Sequence, residues 1–115
     1  MNPKYEGLLK KGVLEILVLQ FLSKKEMYGY QLIMELKENS HEMFAMKEGT
    51  LYPILYRLED DGMLISEWSQ PSGKEVSKKY YKITEDGKRT LAELKKLWSS
   101  FSKEVELILG DDNYG

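Results

Sequence analysis

The chain contains no cysteine and a single histidine, His41, among its 115 residues. The absence of cysteine excludes disulfide bonds, thiolate catalysis and zinc or iron–sulfur sites that use cysteine ligands. One histidine leaves no pair for a catalytic dyad or a histidine-rich metal site. We therefore expect neither a metal ion nor a cofactor.

Phosphate-binding and calcium-binding loops are also missing from the sequence. The glycines do not form a phosphate-cradling loop, and no Asp-x-Asp-x-Asp-Gly run is present. Glu48, Glu59, Asp60 and Asp61 lie close together in sequence, but surface solvation explains them more simply than acid–base catalysis. The sequence does not favour an enzyme.

Long apolar runs are absent. The most apolar segment, Val13 to Leu22, is interrupted by Glu15 and Gln20, and a membrane span needs about 18 uninterrupted apolar residues. The first six residues lack the basic-then-apolar pattern of a signal peptide. We expect a cytoplasmic protein without membrane association.

Charge is unevenly distributed, although the net charge is only −2. Residues 1–25 carry five lysines against two glutamates, whereas residues 26–69 carry three basic against nine acidic side chains. Residues 70–83 carry four lysines against one glutamate. This layout excludes a uniformly basic nucleic-acid-binding protein, but it leaves local basic patches open, either as solvated surface or as binding sites.

Three helices are predicted in the first half of the chain. Apolar spacing predicts one helix over Leu8 to Leu22 and a second from Gly29 to Glu38. A third begins either at Thr50, as N-cap, or one turn earlier at Lys47 or Glu48, and it ends at Gly62.

The periodicity then changes to that of strands. Leu64 and Trp68 flank Ser66 on one face, and Tyr81 and Ile83 share a face further along. The intervening residues, about 70–77, are rich in turn formers. We therefore predict an antiparallel hairpin with a mobile loop at its tip.

A long helix starting after Thr84 is the last predicted element. Its apolar residues are spaced 3, 4, 3, 4 and 3 apart, as in a heptad seam: Leu91, Leu94, Trp98, Phe101, Val105 and Ile108. A helix of about 37 Å is too long to bury this seam on the preceding small unit. A second copy of the chain is the simplest partner, and packing on its own domain is the alternative.

Three helices followed by a hairpin are the order of a winged helix-turn-helix. We expect a mainly α (α+β) fold with a winged helix-turn-helix DNA-binding domain at 1–84, a C-terminal dimerisation helix at 85–110 and a frayed tail at 111–115. The candidate DNA-binding residues lie on the third helix and the hairpin: Lys47, Thr50, Tyr52, Tyr56, Lys74, Lys78 and Lys79.

Some of these assignments have a structural alternative. Tyr52 and Tyr56 also suit packing against the core, and Arg57 suits an ion pair with Asp60, Asp61 or Glu26. Because winged helices also bind proteins, an interaction adaptor without specific DNA binding is the competing function.

The chain also resembles a known family. The runs Leu14–Leu19, Tyr28–Leu32, Glu48–Glu59, Gly62–Ile65 and Lys79–Gly87 resemble PadR-family transcriptional regulators in unbroken order over about residues 8–100. The Gly-Thr-Leu-Tyr-Pro run, followed by the Tyr-Tyr and Thr-Glu-x-Gly runs, is the most specific part.

This resemblance implies a bacterial repressor that binds a palindromic operator on double-stranded DNA as a homodimer. The single C-terminal helix resembles the smaller subfamily, of which some members bind small aromatic or cationic effectors at the dimer interface, against a tryptophan. Trp98 occupies the matching position, so it either lines such a pore or packs in the seam. Glu75 and Val76 interrupt a wing that is often more basic.

Overall fold

The structure, a computed structural model, describes residues 3–110, so the predicted tail at 111–115 lies outside the described residues. Over this range, helices and a small sheet alternate in the order α1 Pro3–Lys11, α2 Leu14–Lys24, β1 Met27–Tyr28, α3 Gly29–Glu38, α4 Glu48–Asp60, β2 Leu64–Trp68, β3 Lys79–Ile83 and α5 Glu85–Leu109. This is the predicted winged helix-turn-helix with a long C-terminal helix.

Two helices occupy the region where one was predicted over Leu8 to Leu22. Helix α1 ends at Lys11, a turn follows at Gly12 and Val13, and α2 starts at Leu14. Glycine weakens a helix because its backbone loses the most conformational entropy on ordering. The single-helix prediction was wrong because apolar spacing continues across this break. Every residue of α1 is at least partly exposed, whereas α2 buries Leu14, Val18, Leu19 and Leu22.

Helices α3 and α4 form the helix-turn-helix. Helix α3 has the predicted bounds, and its first turn is closed by the Tyr28 amide, which donates to Gln31 Oε1 at 3.1 Å. In the connecting turn, Ser40 Oγ donates to the Leu36 carbonyl at 2.6 Å and accepts from the Phe44 amide at 2.9 Å. These side-chain bonds hold a turn in which His41 and Glu42 both have positive φ.

Helix α4 starts at Glu48 with Lys47 as its N-cap, so the earlier of the two predicted starts is the observed one. Thr50 lies in the first turn instead of capping it, and Pro53 lies inside the helix. The helix ends as predicted: Gly62 adopts φ +78°, a conformation that side chains with a Cβ disfavour.

The sheet has the order β1–β3–β2 with both pairs antiparallel. Strands β2 and β3 form the predicted hairpin, with Leu64 opposite Ile83 and Trp68 opposite Lys79. The Ser72–Glu75 bridge continues the same register at the tip of this hairpin, hereafter the wing. Strand β1 was not predicted, because a two-residue strand carries no periodicity.

The core lies between α2, α3, α4 and the inner face of the sheet. Its fully buried side chains include Leu19, Leu32, Leu55 and Tyr81. Helix α5 joins it only through its first turns, where Thr84 Oγ1 accepts from the Gly87 amide at 3.0 Å and donates to the Gly62 carbonyl at 2.7 Å. Leu91 is 5% exposed, whereas Phe101 is 59% exposed. Beyond Leu94 the helix leaves the core, and the molecule measures 65 × 32 × 21 Å.

Candidate nucleic-acid interface

Helix α4 has one buried and one exposed face. Leu51, Ile54, Leu55 and Leu58 enter the core, which fixes the helix against α3 and β2. Lys47 at the N-cap and Thr50 and Tyr56 within the helix are exposed, with Thr50 on the side toward α1 and Tyr56 on the side toward Lys79. The helix therefore presents an ammonium group at its N-cap, a hydroxyl in its first turn and a phenol in its second half to solvent, and these groups can donate hydrogen bonds to phosphates and base edges.

Tyr52, a predicted DNA contact, is half-buried and packs against the core. Its ring lies against Gly29, where a Cβ would come within 2.7 Å of Tyr52 Cζ. Burial raises the pKa of the Tyr52 phenol, and the nearby Glu48 carboxylate and the Tyr56 phenol raise it further. Tyr52 therefore packs against the core, as the structural alternative expected. The contact of its ring with Gly29 limits how closely α4 approaches α3.

Arg57 forms an ion pair with Glu15 of α2, and its Nε donates to Glu15 Oε1 at 2.6 Å. The partners considered from the sequence were Asp60, Asp61 and Glu26. Glu15 is 42 residues away in sequence, so only the packing of α2 beside α4 brings the two together. A guanidinium group paired in this way contributes less to an anion-binding surface.

The wing lysines differ in their environment. Lys79 Nζ lies 5.6 Å from the Tyr56 ring centroid and 5.5 Å from that of Tyr81. Lys78 Nζ lies 4.5 Å above the Tyr28 ring on the other face of the sheet. Lys74 is exposed in the turn at the tip. Of the three, Lys79 is the one that the structure brings next to α4.

We call Lys47 at the N-cap of α4, Thr50 and Tyr56 within the helix and Lys79 of the wing, taken together, the recognition surface. At the C-terminal end of α4, this surface is bounded by three acidic residues, Glu59, Asp60 and Asp61. Glu59 Oε2 accepts a hydrogen bond from Ser66 Oγ at 2.5 Å. Carboxylates repel phosphate, so these side chains limit the part of α4 that an anion can approach.

A separate apolar feature lies between α1 and α5. The exposed seam of α5 and the apolar side of α1 line a groove of about 820 Å³, hereafter the α1–α5 groove. The Trp98 and Phe101 rings are 6.3 Å apart between centroids, and Trp98 is 46% exposed. The wall opposite α5 includes Leu8, Leu9 and Val13 of α1 and its following turn, with Met43 and Phe44 nearby.

The predicted seam residues therefore separate into two groups. Leu91 and Leu94 pack on the core of their own chain, which leaves almost no surface of Leu91 for a partner. Trp98, Phe101, Val105 and Ile108 are exposed. The α1 wall was missed because α1 was merged with α2 in the prediction, although Gly12 marks the break.

Two other classes of site receive no support from the described residues. Within 3–110, no group of three or more acidic or histidine side chains is arranged to hold a metal ion. None of the helices in this range is long and apolar enough to cross a bilayer.

The chain is similar to several known transcriptional regulators. The family model described as the transcriptional regulator PadR-like family matches residues 18–93. The chain is 29% identical to the transcriptional regulator Rv3488 of Mycobacterium tuberculosis over 84% of this chain and 85% of that protein. It is 32% identical to the negative transcriptional regulator PadR of Bacillus subtilis over 69% of this chain and 43% of that protein.

A solved structure is similar to the chain in both fold and sequence. The crystal structure of a PadR-family transcriptional regulator from Eggerthella lenta superimposes with a TM-score of 0.77 at 36% identity. The match covers 88% of this chain and 85% of that one.

Proposed function

The chain belongs to the PadR-like family of transcriptional regulators, and from this premise we propose that it is a homodimeric repressor that binds a palindromic operator on double-stranded DNA. The name of the Bacillus subtilis relative, a negative transcriptional regulator, supports repression. In this proposal the protein acts by binding rather than by catalysis, in the cytoplasm, where bacterial DNA is found.

The α1–α5 groove is the observation that carries the proposal. A single copy leaves Trp98 and Phe101 of α5 exposed beside the exposed Leu8 and Leu9 of α1, and Ile108 is exposed further along α5. An apolar surface of this kind is characteristic of a protein interface. A second copy brings the same heptad-spaced seam, so the two α5 helices cover each other's apolar residues in a two-fold dimer.

Pairing explains how two recognition surfaces would act together. A two-fold dimer presents two α4 helices, each able to enter the major groove with its N-terminal half. Half-sites one helical turn apart require a separation of about 34 Å between these helices. A palindromic operator matches the two-fold symmetry of such a dimer.

The same groove favours a second activity, the binding of a small aromatic or cationic effector. Trp98 and Phe101 offer neighbouring aromatic faces, which attract flat rings and cations. In this proposal the ligand occupies space between the paired α5 helices and changes the spacing of the α4 helices, which releases the operator. Without a ligand, Trp98 packs in the seam.

The test combines sedimentation with a footprint on the DNA immediately upstream of the coding region. We expect a dimer at micromolar concentration and one protected, two-fold symmetric site whose affinity falls steeply with salt. A monomer at that concentration contradicts the proposal. A dimer that binds neither this DNA nor genomic fragments selected for binding favours a protein-interaction adaptor instead.

A further inference from the structure

Trp68 is a large apolar side chain that neither the core nor the α1–α5 groove contains. It is the last residue of β2 and is 64% exposed. Side chains alternate along a strand, so Trp68 lies on the same face as Leu64 and Ser66, whereas Ile65, which is 56% exposed, lies on the opposite face. The Trp68 face is the one that packs against α4.

The register places Trp68 beside the recognition surface. Two residues before it, Ser66 is hydrogen-bonded to Glu59 of α4. Directly opposite Trp68 is Lys79, whose ammonium group lies 5.6 Å from the Tyr56 ring centroid. From Ser66 to Trp68, β2 thus follows α4 from Glu59 back toward Tyr56 and its N-terminal half.

The charges around Trp68 favour an anionic partner. Lys79 is its cross-strand neighbour, and Glu59 of α4, the carboxylate that contacts this strand at Ser66, already accepts a hydrogen bond there. Glu67 lies on the opposite face of the strand. Glu75 lies in the turn, about 13 Å further along the wing.

We propose that Trp68 contacts the sugar–phosphate backbone of the operator next to the major-groove segment that α4 enters. The apolar indole face packs on a deoxyribose, its N–H donates to a phosphate oxygen, and Lys79 neutralises the same stretch of backbone. The contact positions α4 without reading a base. This inference rests on the proposed DNA-binding function.

The experiment measures the affinity of the full chain for two labelled duplexes of equal length, the upstream DNA and a scrambled sequence. Trp68→Ala should weaken binding to both by roughly tenfold, because a backbone contact is lost whatever the sequence. Ile65→Ala is the matched control on the opposite face of the same strand and should bind within about twofold of the unchanged protein. Sedimentation should find the same assembly for all three proteins.

Intrinsic fluorescence gives a readout that does not depend on the alanine variant being folded. The chain has two tryptophans, Trp68 and Trp98. Either duplex should protect the unchanged protein from quenching by acrylamide, and Trp68→Phe should abolish this protection. Protection that persists in Trp68→Phe would assign the signal to Trp98 and overturn the contact.

The affinities separate the two levels of the proposal. If the unchanged protein and Trp68→Ala bind the duplexes with equal affinity, the Trp68 contact alone is overturned. A loss confined to the upstream duplex overturns the backbone assignment, because it indicates base reading. Failure of the unchanged protein to bind either duplex overturns the proposed DNA-binding function and this contact with it.

Discussion

The recognition surface and the α1–α5 groove both expose large side chains, but the chemistry around them differs. On the recognition surface, Tyr56 is next to the Lys79 ammonium group. In the groove, Trp98 and Phe101 are next to other apolar side chains. An aromatic group beside a cation fits an anionic polymer, whereas a continuous apolar strip fits a second apolar strip.

The two regions also differ in how much support they receive from the rest of the chain. The recognition surface is supported from behind by the buried leucines of α4 and by β2, so its geometry exists in one copy of the chain. The second half of α5 has no such support. We expect substitutions in the groove to change assembly, and substitutions on the recognition surface to change DNA binding with assembly intact.

The largest expected effect is that of Phe101→Asp. An uncompensated carboxylate in an apolar interface costs several kcal/mol, so the dimer dissociation constant should rise by about 100-fold or more. Analytical ultracentrifugation measures this change, and operator affinity should fall with it. Ser100→Asp adds the same charge at the neighbouring exposed position outside the seam and should remain dimeric. An intact Phe101→Asp dimer would place the interface elsewhere.

The double substitution Lys47→Ala and Lys79→Ala should leave the dimer intact and weaken binding to every duplex. Each lost phosphate contact lowers the slope of log affinity against log salt concentration by about 0.9, so two contacts lower it by about 1.8. Salt titrations monitored by fluorescence anisotropy measure this slope. The control, Lys95→Ala with Lys96→Ala on α5, removes the same amount of charge outside the recognition surface. Equal slopes for the two double variants would exclude a phosphate role for Lys47 and Lys79.

Gly29→Ala tests whether the recognition surface depends on how closely α4 approaches α3. The added Cβ would lie 2.7 Å from Tyr52 Cζ, so the ring must move, and we expect about 1–3 kcal/mol of lost stability in denaturant unfolding. Gly49→Ala, with open space at its Cβ position, should be neutral or stabilising. A double-mutant cycle with Tyr52→Leu should show coupling, and additive effects would argue against the contact.

The smallest effect concerns the buried Tyr81 hydroxyl, which finds no hydrogen-bond partner among the described residues. Burial, with the nearby Tyr56, Glu59 and Tyr52, raises the pKa of Tyr81 from 10.0 to about 12. Since the folded state holds the neutral phenol, its contribution to stability is complete below about pH 10 and is lost as pH rises toward 12.

Unfolding curves between pH 9 and 12 measure this loss. Tyr81→Phe should reduce the pH dependence and should cost little at neutral pH, because it removes an unpartnered hydroxyl. Tyr30→Phe, at an exposed tyrosine, is the matched control. A pH dependence that is the same in Tyr81→Phe would contradict the assignment.

Local signals predicted much of the fold. The Gly62 stop of α4, the Thr84 cap of α5 and the pairing of the wing strands each depend on residues close in sequence, and each is confirmed. One error concerns a long-range contact, because the Arg57–Glu15 pair joins residues 42 apart. The other is local: the α1–α2 break at Gly12 interrupts an apolar pattern that continues through it.

By itself, the sequence determined the order of the elements from α3 to α5, the heptad spacing of α5 and the family, because these depend on local propensity and on patterns of neighbouring residues. Only the tertiary structure decided which seam residues are covered by their own chain and which side chains flank α4. Leu91 and Phe101 belong to the same heptad pattern, yet one is buried and the other exposed, because the small core reaches only the first turns of α5. The hairpin of β2 and β3 was predicted, but its register, which brings Trp68 opposite Lys79, was not.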